Sequence, residues 1–404
     1  MLSAYATRYR EELIERVIPF WMNHSLDQEH GGYFTCLTRE GAVYDSRKYV
    51  WLQGRAVWML SKLYNEVEQR QEWLDAARQI LDFLAKHARD AEGRYYFSLS
   101  REGHPSFFQR KPYSAVFAMI GMLEFSKATG DAALKQEAID LFWRIRGWID
   151  DPRLLGRPAL DGAPKLRALA DVMIVASMAC EIARVDPDPR YREVLRECVH
   201  ASRESYDPAR RIFFEYAPLK AALSGFEYAP LDATLPEGRF FCPGDSIECA
   251  WFLLHALEFA PDAGAEKMLL DSIEGSLEMG WDREFGGLYY FMDGEGLPAL
   301  PLESNMKLWW PHTEAIYATI LAYSKTGEKK WLDWLSKVDT YAFAHFSDAV
   351  HGEWFGYCDR RGNLTNTAKG NNYKGCFHVP RMLLLSSQLL DAMVIAKPAV
   401  TQSR

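Results

Sequence analysis

Cysteine is scarce in this sequence and never occurs in the C-x-x-C spacing that zinc sites and redox motifs use. The 404 residues include seven cysteines, an odd number, scattered along the chain. A disulfide framework needs an even set at regular spacings, and a structural zinc site needs close pairs. The sequence therefore predicts reduced thiols and no metal site.

A basic block, a long apolar run and a secretory leader are also missing. The formal net charge of −8 is spread along the chain, which argues against nucleic acid or an anionic membrane surface as a partner. No apolar run approaches the roughly 18 residues that a bilayer span requires. The first residues, MLSAYATRYREELIERVIPFW, carry charges throughout, so we expect a cytoplasmic protein.

Several common catalytic motifs are absent as well. The sequence contains no H-E-x-x-H, no G-x-S-x-G and no dinucleotide-binding fingerprint, which leaves metal, serine-hydrolase and NAD chemistry without a motif. The segment GNNYKG at 370–375 resembles a phosphate loop only weakly, because it lacks the terminal Lys-Ser/Thr. We expect no required cofactor.

Helical periodicity dominates what the sequence does contain. With 48% hydrophobic residues the chain can bury a large core, and apolar residues recur at helical spacing in about twelve segments. Two of these segments are marked by Tyr5, Tyr9, Leu13 and Val17, and by Leu74, Ala77, Leu81 and Leu84; the others lie near 50–67, 113–129, 132–148, 166–185, 190–205, 244–259, 264–279, 311–326, 329–346 and 379–394.

Strand signals are few and lie between the helices. Four of these pieces resemble one another: HGGYFTCLTREG at 30–41, EGRYYFSLSREG at 92–103, FGGLYYFMDGEG at 285–296 and HGEWFGYCDRRG at 351–362. An aromatic run, a charged turn and a glycine are typical of a short β-hairpin. A unit of two helices and a connection, repeated about six times, fills the chain.

The helix pairs lack the periods of about 33 to 47 residues that common open solenoids have. They are therefore better closed into a ring than stacked in an open array. The sequence therefore predicts an all-α fold, an (α/α)6 barrel of six inner and six outer helices with short β-hairpins in the connections, formed by residues 1–404 as a single domain. Two unrelated helical bundles are the alternative, but no Pro/Gly/Ser-rich linker separates the halves.

In such a ring the inner helices run in one direction, so their starts share one mouth. The residues at these starts include Arg55, Asp245, Glu248, His312, Glu314 and His378, alongside Tyr49, Trp51, Trp309 and Trp310. Aromatic faces that stack on C–H surfaces, with charged groups that hold hydroxyls, are typical of a sugar pocket.

His378 and Arg55 are the most informative of these residues. His378 stands two residues before Pro380, so we expect it at the positive end of a helix, where a neutral base persists at pH 7. A histidine that caps a turn is the alternative. Arg55 would be costly to bury without an anionic partner.

Two polar pairs have an ordinary explanation. Asp245 and Glu248 lie three residues apart after Pro243-Gly244, which suits a helix N-cap and its N3 partner, and spacing alone favours that reading. Lys307 and Glu314, in KLWWPHTE, are equally ambiguous, since a polar pair can simply satisfy a helix end.

Longer segments resemble a known family. KYVWLQGR at 48–55, KLWWPHTEA at 307–315, HGEWFGY at 351–357 and KGCFHVPR at 374–381 are similar to the N-acylglucosamine 2-epimerase family, of the N-acetylglucosamine 2-epimerase and renin-binding type. The resemblance extends over nearly the whole chain. It implies an (α/α)6 barrel, commonly a homodimer, that interconverts N-acetylglucosamine and N-acetylmannosamine, in some members with ATP as an activator.

The resemblance also implies a mechanism in which the ring-opened sugar loses its C2 proton and regains one on the opposite face. Two acid/base groups are needed, and the family uses two histidines. One matches His378. The other belongs to a P-G-H-x-x-E-x-x-W pattern, where this sequence has Asp245. Either Asp245 serves as the second base, with its pKa raised by burial and by Glu248, or the two-base mechanism has been lost.

Our hypothesis is a sugar 2-epimerase in which His378 and Asp245 act on opposite faces of C2 and Arg55 stabilises the enolate oxygen at C1. The residues expected to bind the sugar are Glu248, Lys307, Trp310, His312, Glu314 and Trp51. An aldose–ketose isomerase with one base, a glycoside hydrolase that uses Asp245 with another carboxylate, and a non-catalytic sugar-binding protein are the alternatives.

Overall fold

Helices alternate along the chain between an inner and an outer ring. The computed structural model describes residues 1–157, 166–218 and 236–396. In this part of the chain the inner ring contains α3 (Val50–Glu66), α5 (Tyr113–Thr129), α7 (Leu169–Ala183), α9 (Pro243–Ala256), α11 (Trp309–Thr326) and α13 (His378–Ala396). The outer ring contains α1 (Leu2–Glu11) and α2 (Ile18–His24), joined by a π-helical turn at Glu12–Val17, then α4 (Gln71–His87), α6 (Ala132–Asp150), α8 (Arg190–Ser202), α10 (Ala263–Gly280) and α12 (Lys329–His345). The predicted (α/α)6 barrel is confirmed, while the single domain over residues 1–404 stays a prediction.

The two rings differ in how much of each helix is buried. Inner helix α3 is buried around most of its circumference between Val50 and Leu63, because it packs against both α5 and the outer helix α4. Outer helix α4 buries one face, which includes Trp73, Ala77 and Leu84. An apolar stripe at helical spacing is the signal of an outer helix, and burial on all sides is the signal of an inner one.

The ring closes where α13 meets α3. Phe377, just before α13, packs edge-on against Trp58 of α3 with ring centroids 5.4 Å apart. Farther along the two helices, Nε2 of Gln388 donates a hydrogen bond to Oε2 of Glu66 over 3.2 Å. Side-chain contacts therefore join the last inner helix to the first.

Short strands occupy the connections, as predicted. In four places within the described residues, the strand that leads into an inner helix pairs with a strand of the next connection: β3 (Lys48–Tyr49) with β4 (Ser98–Leu99), β6 (Leu166–Ala168) with β9 (Tyr216–Pro218), β10 (Phe240–Phe241) with β11 (Met292–Asp293), and β12 (Lys307–Leu308) with β13 (Tyr357–Cys358). Hairpins join β1 (Cys36–Leu37) to β2 (Val43–Asp45), β4 to β5 (Pro105–Phe107), β7 (Tyr206–Asp207) to β8 (Ile212–Phe213), and β13 to β14 (Leu364–Asn366). Short 3-10 helices lie at Pro152–Leu155 and Pro236–Arg239.

The segment 285–296 does not form the hairpin that its sequence predicts. Its strand β11 pairs with β10 of the preceding connection. Phe291 also stacks on Phe240, with ring centroids 4.8 Å apart. The aromatic run therefore joins two connections, because β10 offers both a strand edge and an aromatic face.

Helix α13 is long and apolar enough, by length and composition alone, to cross a bilayer. Its most apolar stretch has a mean hydropathy of 1.4, and half of that stretch is buried within the protein. In the structure α13 is an inner helix of the ring and carries the buried polar residues His378 and Arg381. Its apolar character is explained by burial on several sides.

Gly54 sets how closely α3 approaches α5. A Cβ atom at Gly54 would lie 2.4 Å from the carbonyl group of Phe117, so Gly54→Ala must push the two helices apart. We expect the free energy of unfolding to fall by about 1–3 kcal/mol, the usual cost of overpacking, as measured by denaturant unfolding. The control is Gly147→Ala in α6, where nothing lies within 4 Å of the new atom; this change should stabilise by up to about 1 kcal/mol. Equal stability of the two variants would contradict the tight contact at Gly54.

Candidate active site

A cavity of about 610 Å³ lies where the inner helices begin. Aromatic side chains form much of its wall: Trp51, Phe97, Tyr113, Phe117, Tyr290, Trp309, Trp310, Tyr357, Tyr373 and Phe377. The charged or titratable side chains that also line the cavity are those of Arg55, Lys111, Asp245, Glu248, Glu303, His378 and Arg381. A concave aromatic wall with a few polar groups is typical of a small-molecule site.

His378 is the first residue of α13, at the positive end of that helix as predicted. Its Nδ1 lies 2.8 Å from Oε1 of Glu314. Because a carboxylate only accepts hydrogen bonds, Nδ1 carries the proton and Nε2 keeps its lone pair. Burial, together with the charges of Arg55 and Arg381, lowers the pKa of His378 well below its ordinary value. His378 is thus a neutral base on the cavity wall.

Arg381 is a site residue that the sequence analysis did not single out. Its Nη2 lies 2.5 Å from Oε1 of Glu248 and 2.7 Å from Oε1 of Glu314. Burial alone would lower the pKa of Arg381, but the two carboxylates raise it above its ordinary value. The signal was present in KGCFHVPR: three residues after His378, the side chain lies on the same face of the helix.

This guanidinium also occupies the place where a metal ion would bind. Ligand atoms of Glu248, Glu314 and His378 lie within 4.8 Å of one another, which is close enough for a cation. Because Nη2 of Arg381 already bridges the two carboxylates, the protein itself supplies the positive charge. The cluster is satisfied as a network of ion pairs and hydrogen bonds.

Aromatic faces hold the guanidinium of Arg55. Its Cζ lies 4.0 Å from the ring centroid of Phe117, 4.5 Å from that of Trp51 and 4.6 Å from that of Phe377. Burial lowers the pKa of Arg55 to about 9, and the nearby glutamates act on it through their charge alone. The predicted anionic partner is thus replaced, among the described residues, by cation–π contacts. These contacts leave N–H donors for a ligand in the cavity.

Asp245 lies on the cavity wall in the first turn of α9. The N-cap residue of that helix is Cys242, without a side-chain capping hydrogen bond, so the capping role that spacing favoured for Asp245 is wrong. Burial and then the charge of Glu248 raise the pKa of Asp245 to about 7. A carboxyl group with that pKa can both give and take a proton at neutral pH.

Comparisons with known proteins identify the family. The sequence pattern of the N-acylglucosamine 2-epimerase (GlcNAc 2-epimerase) family matches residues 32–379. The chain belongs to the N-acylglucosamine 2-epimerase family. The N-acylglucosamine 2-epimerase of Mus musculus is 41% identical to it, over 97% of this chain and 93% of the relative. That of Homo sapiens is 38% identical, over 98% of this chain and 92% of the relative.

Solved structures show the same fold. The cellobiose 2-epimerase of Spirochaeta thermophila superimposes with a TM-score of 0.80 at 21% sequence identity, over 97% of this chain and 98% of that one. At this level of identity the likeness supports the (α/α)6 barrel and says nothing of the substrate.

Position 245 is where this member of the N-acylglucosamine 2-epimerase family departs from the family pattern. The rest of the pattern keeps its contacts. Glu248 binds Arg381, and Nε1 of Trp251 donates to Oε2 of Glu314 over 3.0 Å. Asp245 lies beside these contacts, at the position where the family resemblance implies a histidine.

Two residues predicted to bind the sugar lie elsewhere in this family member. Lys307 is fully buried, and its Nζ lies 3.1 Å from Oδ2 of Asp282. His312 donates from Nδ1 to the carbonyl of Leu308 over 2.6 Å and accepts at Nε2 from the peptide N–H of Leu288 over 2.9 Å. Neither side chain lines the cavity, so the structure does not bring them together with the other site residues, and their sugar contacts stay predictions. Their polar atoms are engaged in holding the connection before α11.

Glu314 contacts the base and does not line the cavity. The structure shows that it orients His378, and its sugar contact stays a prediction. Trp51, Trp310 and Glu248 do line the cavity, where the sequence analysis placed them. The tilted Trp310 ring lies beside His378, with ring centroids 5.9 Å apart.

The substitution Lys307→Met tests this reassignment. Removal of the lysine takes from Asp282 one of its two cationic partners. Because Arg360 remains, we expect the free energy of unfolding to fall by about 2 kcal/mol, the usual scale of one hydrogen bond to a charged group. The KM for the sugar should not change. The control is Lys330→Met, which removes an exposed ion pair with Glu274 and should cost at most about 1 kcal/mol. Unchanged stability with a raised KM would return Lys307 to the binding site.

Proposed function

We propose that this protein is a sugar 2-epimerase that interconverts N-acylglucosamine and N-acylmannosamine. One observation carries the proposal: the wall of a single cavity presents a neutral histidine, His378, and a carboxyl group, Asp245, that titrates near neutral pH. Relatives at 38% and 41% identity that are named N-acylglucosamine 2-epimerase support the substrate class.

The two groups account for the required proton transfers. In the open-chain sugar the C1 carbonyl acidifies the proton on C2. His378 removes this proton through Nε2, and the electron pair of the broken C–H bond forms an enolate with its charge on the C1 oxygen. Asp245, in its acid form, then returns a proton to C2 from the other face while the carbonyl re-forms. The reverse reaction uses the same groups in exchanged roles.

Glu314 and Arg55 stabilise the charges that develop during this exchange. Glu314 holds Nδ1 of His378 and stabilises the imidazolium that exists while His378 carries the C2 proton, as a triad carboxylate does. Arg55 faces the cavity with free donors, and with a pKa of about 9 it is charged at neutral pH. It is suited to bind the enolate oxygen, whose charge exists only after the proton has left.

An aldose–ketose isomerase is the second candidate. The substitution at position 245 favours it, because transfer of one proton between C2 and C1 through an enediol needs a single base. The two candidates share His378 and differ in their products.

Other properties follow from the family resemblance or the sequence alone. We expect a homodimer located in the cytoplasm, with ATP as an activator in the manner of some family members. The proposed proton transfers need no cofactor.

Incubation of the protein with N-acetylmannosamine in D2O tests the reaction. We expect proton NMR to show N-acetylglucosamine with deuterium at C2. Asp245→Asn and His378→Ala should each lower turnover at least about a hundredfold, the usual scale of general acid–base catalysis, because neither new side chain can exchange the proton. A parallel incubation with mannose tests whether the N-acyl group is needed.

The matched control for these variants is His30→Ala, which removes a partly exposed histidine that does not line the cavity. It should keep wild-type turnover. A ketose as the product would favour the isomerase, and normal turnover of either site variant would contradict its assigned role.

The pH dependence follows from the two pKa values. When His378 is the base, the active form carries one proton on Asp245 and none on Nε2 of His378. The reverse reaction starts from the form in which that proton lies on Nε2, so the pair carries one proton in total in both directions. Since the pKa of Asp245 is raised to about 7 and that of His378 is lowered, this form is present below pH 7 and is lost as Asp245 ionises. We expect kcat/KM to hold a plateau on the acid side of that pH and to fall about tenfold per pH unit above it, in both directions. A rate that rises through neutral pH would contradict the assignment.

A further inference from the structure

Glu215 lies directly behind Asp245, between strands β8 and β9. Its peptide N–H donates to the carbonyl of Phe240 over 3.0 Å, and its own carbonyl accepts from the peptide N–H of Leu169 over 2.9 Å. The backbone is thereby tied to β10, which leads into α9, and to the start of α7. The side chain is 9% exposed and takes no part in the sequence-predicted site.

The carboxyl group of Glu215 meets that of Asp245. Oxygens of the two carboxyl groups and Sγ of Cys242 lie within 4.8 Å of one another, so a proton on either carboxyl group would let it donate a hydrogen bond to the other. The peptide N–H of Cys242 donates to Glu215, but Oε1 of Glu215 is buried and receives no hydrogen bond from the described residues. Because two carboxylates have no donor between them, one of the pair carries a proton.

Location decides which group holds that proton. Burial, and then the charge of Asp245, raises the pKa of Glu215 well above its ordinary value. Glu215 lies behind the wall, whereas Asp245 lines the cavity and can exchange protons with a ligand. Glu215 is therefore the acid of the pair.

The other side chains that interact electrostatically with Asp245 are carboxyl groups and tyrosine hydroxyls. In the described part of the chain these are Glu248 on α9, Glu314 on α11, Tyr113 on α5, Tyr216 on β9 and Tyr290 just before β11. The two glutamates are already paired with Arg381. The hydroxyl of Tyr113 donates to Asp171, and Tyr216 and Tyr290 act on Asp245 through charge only. The thiol of Cys242, with a pKa raised by burial, and the acid of Glu215 remain as donors to the aspartate.

We propose that Glu215 is a positioning residue for the second acid/base group. It stays a carboxylic acid, donates a hydrogen bond to the Asp245 carboxylate and fixes that carboxylate at the cavity wall, in the place that the family pattern gives to a histidine. The inference rests on the proposed function, in which Asp245 exchanges a proton with C2 of the sugar.

Two substitutions separate a neutral donor from an ionised base. The amide of Glu215→Gln has the same shape and can still donate to Asp245, so we expect kcat within about twofold of wild type and an unchanged pH profile. Glu215→Leu removes the donor, so kcat should fall about tenfold and the alkaline limb of kcat/KM should move to higher pH by about one unit, since a lost hydrogen bond to a carboxylate disfavours its ionised form.

A matched control is Glu12→Gln, which replaces another buried glutamate. Glu12 accepts a hydrogen bond from Trp354, and neither residue lines the cavity. Its pH profile should be that of the wild type. Loss of activity in Glu215→Gln comparable to that in Asp245→Asn would overturn the proposal, because Glu215 would then be an ionised base. An unmoved alkaline limb in a folded Glu215→Leu variant would overturn it too.

Infrared spectroscopy tests the proton without reference to turnover. At about pH 8, where an Asp245 carboxyl of pKa about 7 is mostly ionised, the wild-type spectrum minus that of Glu215→Gln should contain the carbonyl band of a protonated carboxylic acid. Absence of that band would overturn the proposal even if the protein is an active epimerase. The band without any exchange at C2 would instead refute the proposed function.

One zinc ion per purified chain, lost together with activity on chelation, would assign the cluster to a metal and overturn the carboxylic acid pair.

Discussion

Buried lysine–aspartate pairs hold the starts of the inner helices against the connections of this barrel. Nζ of Lys48 lies 2.9 Å from Asp27, that of Lys307 3.1 Å from Asp282, and that of Lys369 2.9 Å from Asp348. Each aspartate also binds an arginine of another connection: Arg101, Arg360 and Arg39, respectively. Although burial raises them, these hydrogen bonds hold the pKa values of the three aspartic acids well below the ordinary range. A shifted register would leave a buried charge without its partner, which is a large penalty.

The cavity depends on these pairs. Lys48 lies just before α3, which presents Trp51 and Arg55 to the cavity. Lys307 lies just before α11, which carries Glu314, the hydrogen-bond partner of His378. A fourth buried pair precedes α13, where Nζ of Lys374 lies 2.6 Å from Oε1 of Glu353. Because each of these pairs is a few residues from a site residue, a helix cannot rotate or slide without breaking it. Buried ion pairs thus fix the positions of the helices that carry the site residues.

The charges around the cavity leave two groups, His378 and Asp245, that can each accept or release a proton. Arg381 neutralises Glu248 and Glu314, which keeps His378 uncharged. Asp245 instead lies beside acidic side chains, and its neighbour is the carboxyl group of Glu215 and not a cation. A histidine at position 245 would bring its own near-neutral pKa. An aspartic acid needs burial and a neighbouring carboxyl group to reach the same range. The departure from the family pattern is therefore compatible with proton exchange only because of what surrounds it.

The amino-acid sequence by itself determined the helices, the barrel and the family, since periodicity and motifs are local signals that survive without coordinates. It also determined His378 and Asp245 as the residues to examine.

Only the tertiary structure decided which side chains contact these two residues. The place of Lys307 and His312 in a motif does not say which way their side chains point, and the structure places both away from the cavity lining. Arg381 was not singled out although it stands in the same motif as His378. Glu215 lies thirty positions before Asp245 in the sequence, and backbone pairing with Phe240 and Leu169 brings the two together. Protonation states depend on burial and on charges that are near in space, and no pattern along the chain records that distance.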